Sequence, residues 1–244
     1  LAEYLPISSS GHLEICREIL GLDLTGAQSL QFDVMLHVAT VLSTIVVLWR
    51  EFVPLCRSFF TFRRDAGFYY VCKLLVSCIP VAIVGLLFKE QVEAFFGGGL
   101  TVVGVCLLVT AALLSFAYIF RTRPLTLRKA YEPRHITWTD AFVIGCSQAI
   151  AVLPGLSRSG TTIATGILLG DKREKVAQFS FFMVIIPILG EALLDIKKMF
   201  GAEAVSDGGT TISVLSIAIG FIASFTVGCI ACKWMIELVK KGKL

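Results

Sequence analysis

Apolar runs recur along this chain, at 32–49, 71–88, 100–120, 141–153, 163–169, 176–194 and 211–235. Several approach or exceed the roughly 20 residues that a helix needs to cross a hydrocarbon core of about 30 Å. Of the 244 residues, 56% are hydrophobic and only 16% charged, and the mean hydropathy is +0.81. An ordinary soluble domain is far less apolar. Backbone groups in lipid must find their partners within the spanning segment, which leaves helices as the form such runs take. The fold class read from these runs is an all-α polytopic membrane protein.

The charges between the runs orient it. Arg50, Arg57, Arg63 and Arg64 outweigh Glu51 and Asp65 in 50–69, and five basic residues face Glu132 alone in 121–139. Residues 89–99 and 195–210 are net acidic, whereas 171–175 and 233–244 are net basic. By the positive-inside rule, 50–69 and 121–139 face the cytoplasm and 89–99 faces out. The net charge of +4 is that of membrane-flanking basic residues, not of a nucleic-acid surface. The eight cysteines include Cys229-x-x-Cys232, which lies within an apolar helix and reads as packing rather than metal or redox chemistry. The chain shows neither an initiator Met nor a signal-peptide pattern, as though natural N-terminal residues precede it.

Residues 140–170 disturb simple counting, because both flanks read as cytoplasmic. Pro154, Gly155 and Gly160 interrupt the segment, where helix continuation is poor. Neither half is long enough to cross alone, so 140–170 is expected to enter and return as a re-entrant hairpin. Residues 1–21 have a matching form, with Pro6 and "SSSG" at the break, and would enter from the outer face. Ile7, Ser8, Ser9, Ser10 and Gly11 align with Leu156, Ser157, Arg158, Ser159 and Gly160, with Gly155 as an insertion. The chain is thus a single membrane domain made of two oppositely oriented repeats. The first, 1–120, has hairpin 1–21 and spans 32–49, 71–88 and 100–120. The second, 140–244, has hairpin 140–170 and spans 176–194 and 211–235. Symmetry calls for a final span after Leu244, absent from the sequence. Inverted repeats with broken helices build polar sites near the midplane.

The two breaks carry the chemistry. An arginine at membrane depth is costly without a partner, so Arg158 marks an intramembrane function. Its planar fork suits phosphate. The amides of Gly155, Ser157, Ser159 and Gly160, with a helix N-terminus near Thr161, are expected to cradle an anion. The first break offers Glu3, the hydroxyls of Ser8, Ser9 and Ser10, and His12, which exchanges protons near neutral pH. If the breaks meet, a carboxylate, a hydroxyl, an imidazole and a guanidinium surround one anionic group. That set suits phosphoryl transfer, and a divalent ion held by Glu3 and substrate oxygens would serve the same end. Several polar residues carry less weight. His37 reads as a packed, hydrogen-bonded histidine and His135 as surface. Gln148 could line the second hairpin, Glu191 and Asp195 approach a helix end, and Glu14 and Arg17 mark a rim.

These stretches resemble the bacterial undecaprenyl-diphosphate phosphatase (bacitracin-resistance) family. The matching segments are "EYLPISSSGHL" at 3–13, "FDVMLHVATVLS" at 32–43, "LPGLSRSGTTIATGILLG" at 153–170 and "AQFSFFMVIIPILG" at 177–190. The resemblance implies six membrane spans and two re-entrant hairpins. It implies hydrolysis of the C55 isoprenoid diphosphate to the monophosphate, which recycles the lipid carrier for peptidoglycan and confers bacitracin resistance. It also implies Mg2+ or Ca2+, a multi-pass protein of the bacterial inner membrane, and a site open to the periplasmic face. Among its residues, Glu3, Ser9, His12 and Arg158 would be catalytic, with Glu3 on the metal. Ser8, Ser10 and Ser157 would contact phosphate, joined by Gly155, Ser159, Gly160 and Thr161 from the cradle reading. Ser9 is preferred to His12 as nucleophile. The family carries a further glutamate four residues ahead of Glu3, which would precede Leu1. Partners are the lipid substrate and bilayer lipids, without nucleic acid, and a homodimer is compatible with the pattern.

A transporter or flippase of polyprenyl phosphate lipids is the alternative that an inverted repeat suggests. Another membrane phosphatase class requires a histidine spaced after its Ser-Arg pair. Residues 159–172 read "SGTTIATGILLGDK", without one.

Overall fold

A computed structural model describes residues 2–21, 26–88, 91–92, 99–122, 135–200 and 214–240. Its regular elements are helices: α1 (Ser9–Leu20), α2 (Gly26–Val47), α3 (Trp49–Phe60), α4 (Ala66–Leu87), α5 (Gly99–Thr122), α6 (Trp138–Ile150), α7 (Arg158–Leu169), α8 (Arg173–Phe200) and α9 (Val214–Lys240). Three stretches, Ala66–Leu87, Gly99–Ile119 and Leu215–Leu238, are long and apolar enough to cross a membrane. The chain is an all-α, multi-pass membrane protein. Much of the outer surface is apolar, as lipid-facing helices require: Leu86, Leu108, Leu215 and Ile230 are all strongly exposed.

Local sequence sets several helix ends. Asp65 caps α4, accepting the Phe68 N–H at 3.0 Å and the Ser58 hydroxyl. These two donors hold its carboxyl below the usual carboxylate range. Thr137 and Asp140 form a reciprocal capping box at the start of α6. Gly21 and Gly170, both at positive φ, close α1 and α7.

The structure departs from the sequence expectations at three places. The span expected at 32–49 ends at Val47, and Leu48 turns the chain by 92° into α3. From sequence alone, this short helix with charged residues at 50, 51 and 57 reads as a connection between spans. The hairpin expected over 1–21 has one helical arm among the described residues, because residues 2–7 form successive turns. In the second break, α7 begins at Arg158 rather than near Thr161, because Ser157 supplies the cap. The expected spans 71–88, 100–120 and 211–235 lie largely within α4, α5 and α9, and 176–194 lies within α8.

Packing centres on α8, which touches α2, α4, α7 and α9. Phe179, Met183 and Ile188 of α8 are fully buried with Ile144, Ile163 and Met235. The α2 helix also packs on α9, α4 on α6, and α5 on both α7 and α1. Small residues permit the closest approaches. A Cβ on Gly145 would collide with the Ser77 backbone of α4. Polar side chains also join helices, with Thr162 of α7 and Ser180 of α8 sharing a 2.6 Å hydrogen bond.

Candidate active site

The two polar breaks meet. Gly155 N–H donates to Ser10 Oγ at 3.4 Å, and Ser159 Oγ donates to the Leu5 carbonyl at 3.3 Å. Both contacts join residues about 150 positions apart in sequence. The turns can approach because glycines face each other: a Cβ on Gly11 would lie 3.2 Å from Gly155 Cα. Helix α5 backs the junction. Thr110 Oγ1 accepts the Ser157 N–H at 3.1 Å, and Val103 packs against Gly11 and Gly155.

Within each turn the local geometry repeats. Ser8 Oγ accepts from Gly11 N at 3.3 Å, and Ser157 Oγ accepts from Gly160 N at 3.1 Å. Each serine is therefore an N-cap, and α1 and α7 begin at the same place. The positive ends of two helix dipoles converge there. Ser9 and Arg158 are the first residues of their helices, which puts a hydroxyl and a guanidinium at matching positions.

These residues line one cavity of about 1370 Å³. Glu3, Ser8, Ser9, Ser10 and His12 border it from the first turn, and Ser157, Arg158 and Ser159 from the second. Its other walls are largely apolar, including Leu36, Val81, Leu86, Ile186 and Val227. Arg158 Nη2 lies 3.8 Å from Glu3 Oε1, and both side chains are partly exposed. An ion pair this long and this solvated adds little stability, so an incoming anion can displace the carboxylate from the guanidinium. His12 Nδ1 lies 2.7 Å from the Ser8 carbonyl. A carbonyl only accepts, so Nδ1 carries the proton and Nε2 holds a lone pair in the neutral ring.

The serine triplet divides its work. Ser8 is buried in its cap, and Ser10 contacts Gly155 and Ser8. Ser9 takes part in neither contact. The expected amide cradle is corrected by the structure: the N–H groups of Gly155, Ser157 and Gly160 are taken by Ser10, Thr110 and Ser157. They hold the turns together, and Gly155, Gly160 and Thr161 are not among the cavity-lining residues. Side chains and the first helical turns are left to meet an anion.

Tyr4 has a role that the sequence did not reveal. Its buried hydroxyl bonds the Thr40 carbonyl at 2.8 Å, Thr44 Oγ1 at 2.9 Å and Ser43 Oγ, tying the residue after Glu3 to α2. A tyrosine in an apolar context gives no signal of such a tertiary anchor. His37 is also corrected. It lines the cavity, and its buried Nδ1 has no hydrogen-bond partner among the described residues. Glu14 and Arg17 pair at 3.4 Å on the cavity wall, and His135 is exposed. The side chains of Glu191 and Asp195 lie outside the described residues.

A divalent cation is a chemical question for Glu3. Among the described residues, no three His, Cys, Asp or Glu side chains gather as a ready-made metal site. Glu3 nevertheless offers a carboxylate to the cavity that also receives Arg158. One carboxylate together with substrate phosphate oxygens is a donor set that Mg2+ accepts.

Comparison with known proteins gives this arrangement its relatives. An undecaprenyl-diphosphatase of Bacteroides fragilis is 54% identical over 244 residues, covering all of this chain and 87% of the relative. The undecaprenyl-diphosphatase of Parabacteroides distasonis is also 54% identical over 244 residues, with the same coverage. That of Christiangramia forsetii is 45% identical over 245 residues, again covering 100% of this chain and 87% of the relative. The profile of the family described as "Bacitracin resistance protein BacA" matches residues 1–244, and the chain belongs to that family.

Proposed function

We propose that this protein hydrolyses undecaprenyl diphosphate to undecaprenyl phosphate and inorganic phosphate, returning the C55 carrier to peptidoglycan synthesis and conferring bacitracin resistance. The observation that carries the reading is the single cavity onto which Glu3, Ser9, His12 and Arg158 all open. Its polar end suits a diphosphate, and its apolar walls suit the first isoprene units. The family membership and the names of the close relatives point the same way.

In this mechanism Arg158 leaves Glu3 for the terminal phosphate and offsets charge on its oxygens. Ser9 Oγ attacks the terminal phosphorus while His12 Nε2 accepts the hydroxyl proton. The bridging P–O bond breaks, the prenyl monophosphate leaves with its electron pair, and His12 passes its proton to that phosphate and is neutral again. Water then attacks phospho-Ser9 and releases phosphate. Glu3 and diphosphate oxygens would together hold Mg2+ or Ca2+, which would supply further charge neutralisation. Ser8, Ser157 and the contact between Ser10 and Gly155 keep the turns in register.

In the membrane reading, 140–170 is a re-entrant hairpin. Helices of 13 and 12 residues flank its break, and each falls short of the roughly 20 needed to cross. With α1 as its counterpart from the opposite side, the chain forms an inverted repeat. Contact of α2 with α9 and of α4 with α8 is the exchange such a repeat predicts. Basic 50–69 and 121–139 on the cytoplasmic side turn the site towards the periplasm. A homodimer would cover part of the exposed apolar helix surface.

The deciding experiment is phosphate release from C55 diphosphate by purified protein, with and without chelator, alongside movement of the lipid between leaflets. Phosphate release abolished by Arg158→Ala is expected. Lipid movement with no phosphate release would replace the enzyme reading with a transporter.

A further inference from the structure

Gln148 stands on α6 two residues before its end, with 1% of its surface exposed. It lines the same cavity as Ser9, His12 and Arg158. Among the described residues, neither its Nε2 nor its Oε1 has a hydrogen-bond partner. The neighbouring buried polar residue behaves differently, since Ser147 Oγ donates to the Ile144 carbonyl at 2.7 Å. A buried carboxamide with both ends unpaired is unfavourable for the folded chain. An apolar side chain of similar size would avoid that penalty, so the amide is best explained by something it binds in the cavity.

Its chemistry narrows what that is. The amide has N–H donors at one end and a carbonyl acceptor at the other. Ionised phosphate oxygens only accept, so phosphate alone satisfies Nε2 and leaves Oε1 unpaired. A water beside the phosphate satisfies Oε1. We propose that Gln148 is the water-positioning residue of the reaction: Nε2 donates to a phosphoryl oxygen, and Oε1 accepts from the water that attacks phosphorus. Being neutral, the amide holds that water without repelling the anionic phosphoryl group. Orienting an attacking water through a glutamine side chain is a recognised device in phosphoryl transfer.

The step rests on the Ser9 mechanism above. The water oxygen bonds to the phosphorus of phospho-Ser9, and the P–Oγ bond breaks with its electron pair left on Oγ. The water proton passes to Oγ through His12, which restores serine and releases phosphate. Gln148 enters this second half of the cycle. The first transfer, in which Ser9 itself attacks, does not need it.

That asymmetry supplies the test. The full chain, in detergent, is given C55 diphosphate labelled in the terminal phosphate. Gln148→Leu is expected to lower kcat at least tenfold and KM about in proportion, leaving kcat/KM within about threefold, because the first transfer is untouched. Its thermal midpoint should not fall, and acid-stable label should accumulate on the protein. Gln148→Met, unbranched and of similar length, should behave the same way and serves if the leucine variant folds poorly. Unchanged turnover in both variants would mean the amide merely binds a structural water, and would overturn the proposal. So would a raised KM at unchanged kcat, or reduced kcat without protein-bound label. The Ser9→Ala protein separates the two ideas. If it turns over normally, the serine mechanism fails whatever Gln148 does; if it is inactive, label on Gln148→Leu must disappear in the double variant.

Discussion

Ser8 and Ser157 cap helices from opposite ends of the sequence in the same way, each accepting the amide of the glycine three residues on. Ser8 does so at a φ of 65°, a conformation that favours glycine. Removing the cap while keeping the strain should therefore be worse than removing both. Ser8→Ala is expected to destabilise by about 1–2 kcal/mol, and Ser8→Gly by a few tenths. Thermal unfolding in detergent measures the order, and equal losses would contradict the role assigned to the cap.

Gly155 has a φ of 89°, and a Cβ there would lie 2.6 Å from the Val103 carbonyl oxygen. Gly155→Ala should cost about 2–4 kcal/mol and separate the two turns. Gly104, on the same α5 helix, has nothing within 4 Å of an added Cβ. Gly104→Ala should be neutral or stabilising by up to about 1 kcal/mol. Midpoints of the two variants, compared in one detergent, check the contrast.

Among the serines, only Ser9 should be chemically indispensable. Ser9→Ala is expected to lower phosphate release by roughly a thousandfold or more. Ser10→Ala, which loses the Gly155 contact, should retain more activity and lose about 1 kcal/mol of stability. Arg158→Lys keeps the charge but loses the planar fork, and a fall of about tenfold to a thousandfold is expected. Phosphate-release kinetics on the three proteins would expose a wrong assignment if Ser10→Ala were the more damaging serine change.

Tyr4→Phe removes the hydroxyl that ties the first turn to α2. Ser43 and Thr44 keep their bonds to the Thr40 carbonyl, both at 2.9 Å, so the stability loss should be only about 1 kcal/mol. Glu3, one residue away, loses its support, and kcat/KM should fall about tenfold. Normal kinetics in a destabilised Tyr4→Phe protein would make the anchor purely structural.

Asp65 gives a pH dependence away from the cavity. Its carboxyl is held low in the folded protein by Ser58 and then by the Phe68 amide. Its stabilising contribution is complete above the ordinary carboxylate range and is lost as pH falls through the depressed value. Asp65→Asn should flatten the acid limb of a stability-against-pH curve without changing phosphate release at neutral pH. An unchanged acid limb would deny Asp65 that contribution.

The membrane class, most spans and both polar breaks were legible from the residues. Apolar runs long enough to cross lipid must become helices, and Pro154 with the glycines had to interrupt one. The alignment of Ser8 with Ser157 put equivalent serines at the two breaks, but only the structure showed that each caps a helix. The right-angle turn into α3 was not legible, since a short charged helix differs little in composition from a loop. Nor was the fate of the turn amides. Whether the amides of Gly155 and Ser157 face a ligand or a neighbour depends on Ser10 and Thr110, far away in sequence.

Tyr4 and Gln148 mark the same boundary from two sides. The sequence could place each beside a break but not say which hydroxyl or amide would find a partner. Tyr4 finds three on α2, whereas Gln148 finds none among the described residues and lies on the cavity wall. Local chemistry and the solvation of apolar helices determined the elements and the residue types at the breaks. Tertiary packing decided which polar groups satisfy one another and which remain for substrate, because hydrogen-bond satisfaction in a buried site depends on the whole surrounding shell.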